Sequence, residues 1–500
     1  MKANPPLKAP SKLALITVFA LASCWGKADF DPGELDLSFP ERFTSDPPRV
    51  SRKALWEGQR WWESLRAPEL DRLIREGLEG SRSLAAAAQR IAAARAQAEA
   101  AGGSLYPQVS AGLSGSRTKQ IFVGFPIPGR SGPLSSRTNS YGLSLNLSWE
   151  LDLWGKLSAQ ARSATLEAKR SEELYQGAAL SLSGQMAKTW FALIEAKEQE
   201  RIAKGTLETD KQILGFIEGR YRSGKSRLVD VQLAKERAMS SETTLARAKR
   251  LVALTTRQLE YLLGRPAQGT LSSATRLPPL PPAPPAGLPA SLLDRRPDLR
   301  AARLALLSRK ELQKASKASL YPSLSLTASA GTRSNQLKDL IDGDFSVWSL
   351  AGNILQPIFM GGTLRAQLRA NQALAGASLQ DFADKVLRAL LEVEQALSNE
   401  QHLREELKAS LAWVSAAKAS EATTSDRYRS GRATILETLN AKKALFQAQS
   451  ALSAVRRNLL QNRVDLCLAM GGRLDPPETS PQTPKQGEQP SSPAPEVSRR

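Results

Sequence analysis

Two periodicities take turns along this chain. Between Tyr141 and Trp149 every second residue is apolar, so Leu143, Leu145, Leu147 and Trp149 fall on one face and Ser144, Asn146 and Ser148 on the other, which predicts a strand. The same alternation marks Pro322 to Gly331, with Leu324, Leu326 and Ala328 set against Ser323, Ser325 and Thr327. Leu105 to Arg117 and Phe345 to Gln356 read as two further strands, the last with Trp348, Leu350 and Ile354 on its apolar side. Elsewhere the period is helical. Val231, Ala238, Leu245, Val252 and Leu259 recur every seventh residue, as do Thr438, Leu445, Leu452, Leu459 and Leu466. A companion row of Ala234, Ser241 and Ala248, then Ala441, Ala448 and Val455, keeps the seam small enough for close helix approach. No proline interrupts Ser158 to Gly219 or Lys225 to Gly264; an uninterrupted helix of about 60 residues is roughly 90 Å long.

The pattern occurs twice. RYRSGKSRLVDVQLA around Tyr221 is echoed by RYRSGRATILETLNA around Tyr428, and SLYPQVSAGLS from Ser104 by SLYPSLSLTAS from Ser319. Each half therefore predicts a helix, two strands and a long antiparallel helical pair turning at an RYRSG corner. The first helix is expected from near Trp56 to Gly102-Gly103. The reading divides the chain into a signal peptide (1–23), an extended segment running over the surface (24–55), a first repeat (56–264), a Pro-rich connector (265–295) whose stretch Arg265 to Pro289 cannot be helical, a second repeat (296–473) and a disordered tail (474–500). Arg296-Pro297-Asp298 marks the restart of helix. A long Gly/Pro-rich loop, Lys119 to Asn139, separates the first two strands.

Apolar residues on one side and small polar ones on the other suit a barrel strand between lipid and a wet lumen, and equally a soluble sandwich with its apolar face inward. Four strands are too few to close either structure, so a barrel would have to be assembled from several chains.

Composition changes this picture little. Apolar residues make up 41% and charged residues 24%, with a formal net charge of +20. The basic residues are interleaved with Glu and Gln through the helices, so a solvated helix surface explains them before anionic headgroups do, and nucleic acid comes last. Two cysteines and a single histidine, His402 in the helical run SNEQHLREEL, exclude a disulfide framework and a His/Cys metal cluster. His402 reads as an exposed helical residue, not a general base.

The N-terminus carries Lys2, Lys8 and Lys12, then the apolar core Leu13 to Ser23, then Cys24. The core is too short to span a bilayer and reads as a secretory signal. Leu21-Ala22-Ser23-Cys24 resembles a bacterial lipobox, which implies cleavage before Cys24 and acyl chains on its thiol. Gly219 to Ser226 matches the phosphate-loop pattern GxxxxGKS. That chemistry needs a strand before the loop, and a helix precedes it here, so the match is a coincidence of a helix corner. No dinucleotide fingerprint, nucleophile motif or metal-ligand spacing is present; an enzyme and a bound cofactor are not expected.

Taken together, the lipobox at Cys24, Trp61-Trp62, AAARAQAEAAGGSLYPQVS from Ala92, RRPDLRAARLALL from Arg295 and the paired corners resemble the TolC-type outer-membrane efflux factors, within them the NodT-like lipoprotein branch. The resemblance covers about Trp56 to Arg473. It implies a mixed α and β membrane protein: a homotrimer whose twelve-stranded barrel, four strands per chain, continues as an α-helical coiled-coil tunnel across the periplasm, with a mixed belt that includes the chain ends. It implies a passive exit duct fed by an inner-membrane pump through a periplasmic adaptor. Tyr221, Arg222, Ser223 and Gly224, with Tyr428, Arg429, Ser430 and Gly431, would meet the adaptor. Glu437 and Asn440 would pinch the tunnel, Asn440 departing from the family's paired acids, and Asp230 would pair with the second corner, where Ala433 stands in place of an arginine. A protein-secretion duct and a non-barrel periplasmic coiled-coil lipoprotein are the alternatives.

Overall fold

The computed structural model describes residues 43–44, 60–122, 134–281 and 292–472. The signal peptide, Cys24 and the tail from 474 lie outside these residues, as do most of the 24–55 segment, positions 56–59, the middle of the first inter-strand loop and residues 282–291 of the connector.

The internal duplication extends to the lengths of the elements. Helices α2 (Arg82–Gly103) and α6 (Pro297–Ala318) each have 22 residues. Helices α3 (Lys156–Arg222) and α7 (Thr363–Arg429) each have 67, and α4 (Leu228–Leu262) and α8 (Ile435–Ala469) each have 35. Two shorter α-helices complete the set among the described residues, α1 (Pro68–Gly80) and α5 (Leu292–Arg295). The chain forms two compact units that cut across the repeats. One holds Ala93–Arg170 and Ala302–Asp384; the other holds the described parts of Phe39–Ala92, Ser171–Ala301 and Lys385–Arg500.

The first unit contains a four-stranded antiparallel sheet in the order β1 (Gln108–Phe122), β2 (Leu134–Leu151), β3 (Ser323–Ser334), β4 (Ser346–Leu355). Its register places Val109, Leu113, Leu143, Leu145, Leu147, Trp149, Leu324, Leu326, Trp348, Leu350 and Ile354 on one face. Ser110, Ser114, Ser144, Asn146, Ser325, Thr327, Ser329, Ser349 and Asn353 lie on the other. The apolar face is open: Leu113 is 73% exposed and Trp348 81%. From the Leu151 row to the Leu143 row this apolar band runs roughly 27 Å along the strand. At barrel tilt that is about 20 Å of height, close to the ~25 Å band of outer-membrane barrels. The four helices that adjoin the sheet in the chain, α2, α3, α6 and α7, all do so at one end, where Trp154 stacks on Tyr321 at 5.1 Å.

Both strands of the first hairpin overrun their predicted limits, so Lys119–Phe122 and Leu134–Asn139, expected as loop, are strand. From Ser116 to Gln120 and from Ser135 to Ser140 the residues on both faces are polar, so the alternation that marks a strand fades while the ladder of hydrogen bonds continues to Phe122 and Leu134. Residues 337–345, which join β3 to β4, form two short 3-10 turns.

In the second unit the predicted first helix is three elements. Trp61–Leu65 is a 3-10 turn, and α1 ends before Ser81, whose extended backbone (φ −67°, ψ 115°) breaks the helix. Ser81 Oγ then accepts the Leu84 N–H at 3.3 Å and caps α2. Trp61 and Trp62 are buried edge to face at 5.8 Å, and Trp61 Nε1 donates to Ser183 Oγ at 3.2 Å. Around them pack Leu70, Leu73 and Ile74 from α1, Trp190, Phe191 and Ile194 from α3, Leu259 from α4, and Leu460 and Val464 from α8. The predicted heptad seams hold: every one of their positions is buried or half-buried.

The connector is irregular from 265 to 281, and its end, past the Pro-rich stretch, forms the four-residue α5. Buried Glu260 fastens it by accepting the backbone N–H groups of Gly269, Thr270 and Leu271 at 2.6, 2.7 and 3.1 Å. Phe43, placed on the surface by sequence reasoning, is buried, and the Thr44 N–H donates to the Glu394 carboxylate.

Cys467 is buried in the core, and desolvation pushes its thiol up to about 12. At pH 8 only about one thiol in ten thousand is ionised at such a value. Iodoacetamide should therefore leave Cys467 unlabelled in the native protein and modify it in guanidinium, as intact-mass measurement would read; rapid native labelling would contradict the burial.

Candidate functional site at the paired helical corners

Both corners are built by the same local chemistry. A helix that ends on a left-handed residue satisfies its last carbonyls by two reverse bonds, and glycine adopts that conformation without steric cost. Gly224 has φ +69° and Gly431 φ +74°. Lys225 N–H donates to Arg220 O at 2.8 Å and Gly224 N–H to Tyr221 O at 2.9 Å. Arg432 N–H donates to Arg427 O at 2.7 Å and Gly431 N–H to Tyr428 O at 3.0 Å. Ser223 Oγ donates to Arg220 O at 2.9 Å and Ser430 Oγ to Arg427 O at 3.0 Å. Gly219, the first glycine of the phosphate-loop match, lies inside α3, which removes the strand that chemistry requires.

The returning helices begin with an acid in their first turn. Glu437 Oε2 accepts the Thr434 N–H at 3.1 Å, while its own N–H donates to Thr434 Oγ1 at 3.3 Å, a reciprocal cap. Asp230 accepts the Arg227 N–H at 3.0 Å, the Arg227 guanidinium at 3.2 Å and the Ser226 hydroxyl at 3.3 Å. Only half of the reciprocal cap exists there, because an arginine side chain cannot accept. Partial burial raises the Asp230 pKa, but the bonds from Arg227 and Ser226 outweigh it and hold the carboxyl below its ordinary value. Asp230 was expected to bond to the second corner; its hydrogen bonds close on its own. Glu437 and Asn440 are both exposed.

The two corners meet in one cluster. Ile213 and Ile217 of α3, Val231 and Ala234 of α4, and Ile435 and Leu439 of α8 pack together, with Tyr428 of α7 beside them. Tyr428 lies edge-on to Phe216 at 6.3 Å, and Arg220 sits 5.9 Å over the Phe216 ring. Burial pushes the Tyr428 hydroxyl pKa up, the charge of Arg220 opposes this and that of Asp230 adds to it. The equivalent Tyr221 is instead 43% exposed. Arg222, Ser223, Gly224, Arg429, Ser430 and Gly431 are exposed as well. The corners thus present a basic surface, since Arg222, Lys225, Arg227, Arg429 and Arg432 outnumber the neighbouring Asp426, Asp230 and Glu437.

Polar ties that sequence reasoning missed brace the hairpins further along. Asp210 is buried and receives the Ser241 hydroxyl, with Arg237 at 3.5 Å, and Lys442 pairs with Glu421 at 2.6 Å. Desolvation raises the Asp210 carboxyl above its ordinary value despite Ser241, Arg237 and Lys442. These residues interrupt otherwise small-residue seams, and no local motif announces them. His402 is exposed on α7, 4.0 Å from Glu405. Among the described residues no group of His, Cys, Asp and Glu could hold a metal ion, and no helix is long and apolar enough to cross a membrane.

The model of one protein family, described as outer membrane efflux protein, matches residues 73–265 and 288–472. The pyoverdine export outer membrane protein OpmQ of Pseudomonas putida is 31% identical over 436 residues, 85% of this chain and 90% of that protein. The probable efflux pump outer membrane protein TtgC of the same species is 28% identical over 460 residues, covering 91% and 94%. Among solved structures, the outer-membrane channel OprN superposes with a TM-score of 0.77 at 26% identity, over 88% of this chain and 98% of that one.

Proposed function

The chain belongs to the outer membrane efflux protein family, and from that premise we propose that it is the passive outer-membrane exit duct of a tripartite efflux system for small molecules, drugs and toxic compounds among them. The observation that carries this is the sheet: four strands, apolar and exposed on one face, polar on the other, with β1 and β4 left as open edges within the chain. Open edges are not tolerated in lipid. Three copies joining β4 to β1 would give twelve strands with no free edge, an apolar exterior and a lumen lined by Ser, Thr and Asn. The names of OpmQ and TtgC favour efflux over protein secretion, and the sheet argues against a coiled-coil lipoprotein without a barrel.

In this reading the corners are the tips offered to the periplasmic adaptor, itself bound to an inner-membrane pump. Glu437, with Asn440 nearby, forms the negative ring that narrows the tunnel, and Asp230 steadies the first corner. Cys24 carries the acyl chains. Since Cys467 is then the sole free thiol, fully denatured mature protein should take up a single alkyl label; two labels would show an unmodified Cys24.

The test of the duct is reconstitution of the purified protein in planar bilayers, alongside gel migration with and without heating. A heat-modifiable trimer with defined single-channel conductance is expected. A folded species that is monomeric and never inserts would remove the reading. Charge reversal at the corners, Arg222→Glu with Arg429→Glu, is expected to weaken adaptor binding at least about tenfold, with a smaller salt dependence than wild type. Unchanged affinity in surface-plasmon measurements would move the adaptor contact elsewhere.

A further inference from the structure

The first hairpin continues beyond the sheet on one side. Residues 117–122 of β1 and 134–139 of β2 pair only with each other, past the last β2–β3 pair at Tyr141 and Ser334. In this overhang charge is confined to one face. Arg117, Lys119 and Arg137 share the face of the apolar band, whereas Ser116, Thr118, Gln120, Ser136 and Thr138 on the other face are uncharged. A hairpin made basic only for solubility would carry charge on either face.

Lys119 and Arg137 are directly opposed in the register, and Arg117 lies one pleat away, opposite Asn139. Directly opposed like charges destabilise a strand pair, so this placement calls for a counter-ion. The three side chains are exposed, and none forms an ion pair with a described residue. Residues 123–133, which join the two strands, contain no acid. The carboxylate of Asp339, on the neighbouring connection, is engaged by the Ser334 hydroxyl at 2.8 Å. Moving up the face, the order is the apolar band, Tyr141, then the three cations, with Ile121 beyond them at the end of the hairpin. Arg117 lies roughly 13 Å along the strand from the Leu143 row. That is the sequence of acyl chain, interface and headgroup met by a side chain crossing out of a bilayer.

We infer that Arg117, Lys119 and Arg137 form a binding site for the phosphate groups of an anionic lipid in the outer leaflet, the lipid's acyl chains lying on the Leu113–Leu143 surface below. The inference rests on the barrel reading, because the four helices that adjoin the sheet, α2, α3, α6 and α7, all do so at the opposite end, which directs this hairpin outward. Arginine suits the role through forked donors that match phosphate oxygens.

The experiment is native mass spectrometry of the detergent-purified trimer titrated with bis-phosphorylated lipid A, dephosphorylated lipid A or phosphatidylcholine. Wild type should retain the bis-phosphorylated lipid at least about tenfold better than the other two. Combined Arg117→Gln, Lys119→Gln and Arg137→Gln should abolish the preference, and Arg117→Lys with Arg137→Lys should keep most of it. Excess inorganic phosphate should leave the lipid bound; full displacement would overturn the assignment to a lipid. Equal retention of phosphorylated and dephosphorylated lipid, or an unchanged preference in the triple Gln variant, would overturn the site. Heat-modifiability and conductance of each preparation report separately on folding and on the duct. A conducting trimer without lipid preference therefore refutes this site alone, whereas loss of both trimer and conductance in wild type refutes the function it rests on.

Discussion

Truncating Glu400 to alanine is expected to destabilise the protein by about 3–5 kcal/mol, because it strands a buried guanidinium. The Arg463 side chain is 1% exposed, and Nη2 donates to Glu400 Oε1 at 2.6 Å; its Nε and Nη1 have no hydrogen-bond partner. Burial pulls the Arg463 pKa below the ordinary guanidinium value, and the charge of Glu400 works against that pull. Glu400 has company: Arg404 Nε donates to it at 2.9 Å, and Asn462 Nδ2, held by the Ala396 carbonyl at 2.9 Å, lies 3.4 Å away. The two single substitutions are therefore unequal. Arg463→Met leaves Glu400 paired with Arg404 and should cost about 1–2 kcal/mol, whereas Glu400→Ala leaves Arg463 with nothing. The pair Glu400→Leu with Arg463→Met should recover most of the loss, since replacing a buried ion pair by apolar groups of similar volume is often neutral. Guanidinium unfolding followed by tryptophan fluorescence would measure all three. A Glu400→Ala variant within about 1 kcal/mol of wild type would show that water, and not the carboxylate, satisfies Arg463.

The second large effect concerns Glu437. If three copies of this carboxylate ring a narrow lumen, removing the charge should abolish cation preference and raise conductance several-fold. Alanine would confound that measurement, because Glu437 also caps α8 through the Thr434 N–H, and losing a cap typically costs about 0.5–2 kcal/mol. Glutamine separates the roles: its amide oxygen still accepts from Thr434 while the charge is gone. Glu437→Gln is expected to lose selectivity with thermal stability near wild type, and Glu437→Ala to lose both. Selectivity retained in the Gln channel, read as an unchanged reversal potential across a salt gradient, would place the constriction elsewhere. Asn440, one turn on and uncharged, cannot supply the missing charge.

The helical half of this molecule was legible from sequence because seven-residue recurrence of Leu, Val and Ala survives any choice of boundary. The equal lengths of α3 and α7, and of α4 and α8, follow from the same repeat. Strand limits were less legible, since from Ser116 to Gln120 and from Ser135 to Ser140 neither face carries an apolar residue to mark it. The break at Ser81 was written in Gly80-Ser81, a stop followed by a cap, but the apolar spacing on either side masks it. At the corners the glycines and the first-turn acids could be read directly. What Asp230 bonds to could not, because Ser226 and Arg227, four and three residues back, outcompete a distant tyrosine only once the backbone has turned. The packing of Tyr428 on Phe216 joins residues from separate repeats, and no local pattern encodes it.

The two corners share their turn and differ in their tyrosines, and this bears on stoichiometry. Three chains would display six tips, each carrying the same left-handed glycine and the same reverse hydrogen bonds. Tyr221 stands free and Tyr428 is packed against Phe216. A docking protein that grips only the turn would count six equal places; one that grips the tyrosine would count three. In the proposed complex the ratio of adaptor to duct would then turn on the exposure of one aromatic ring.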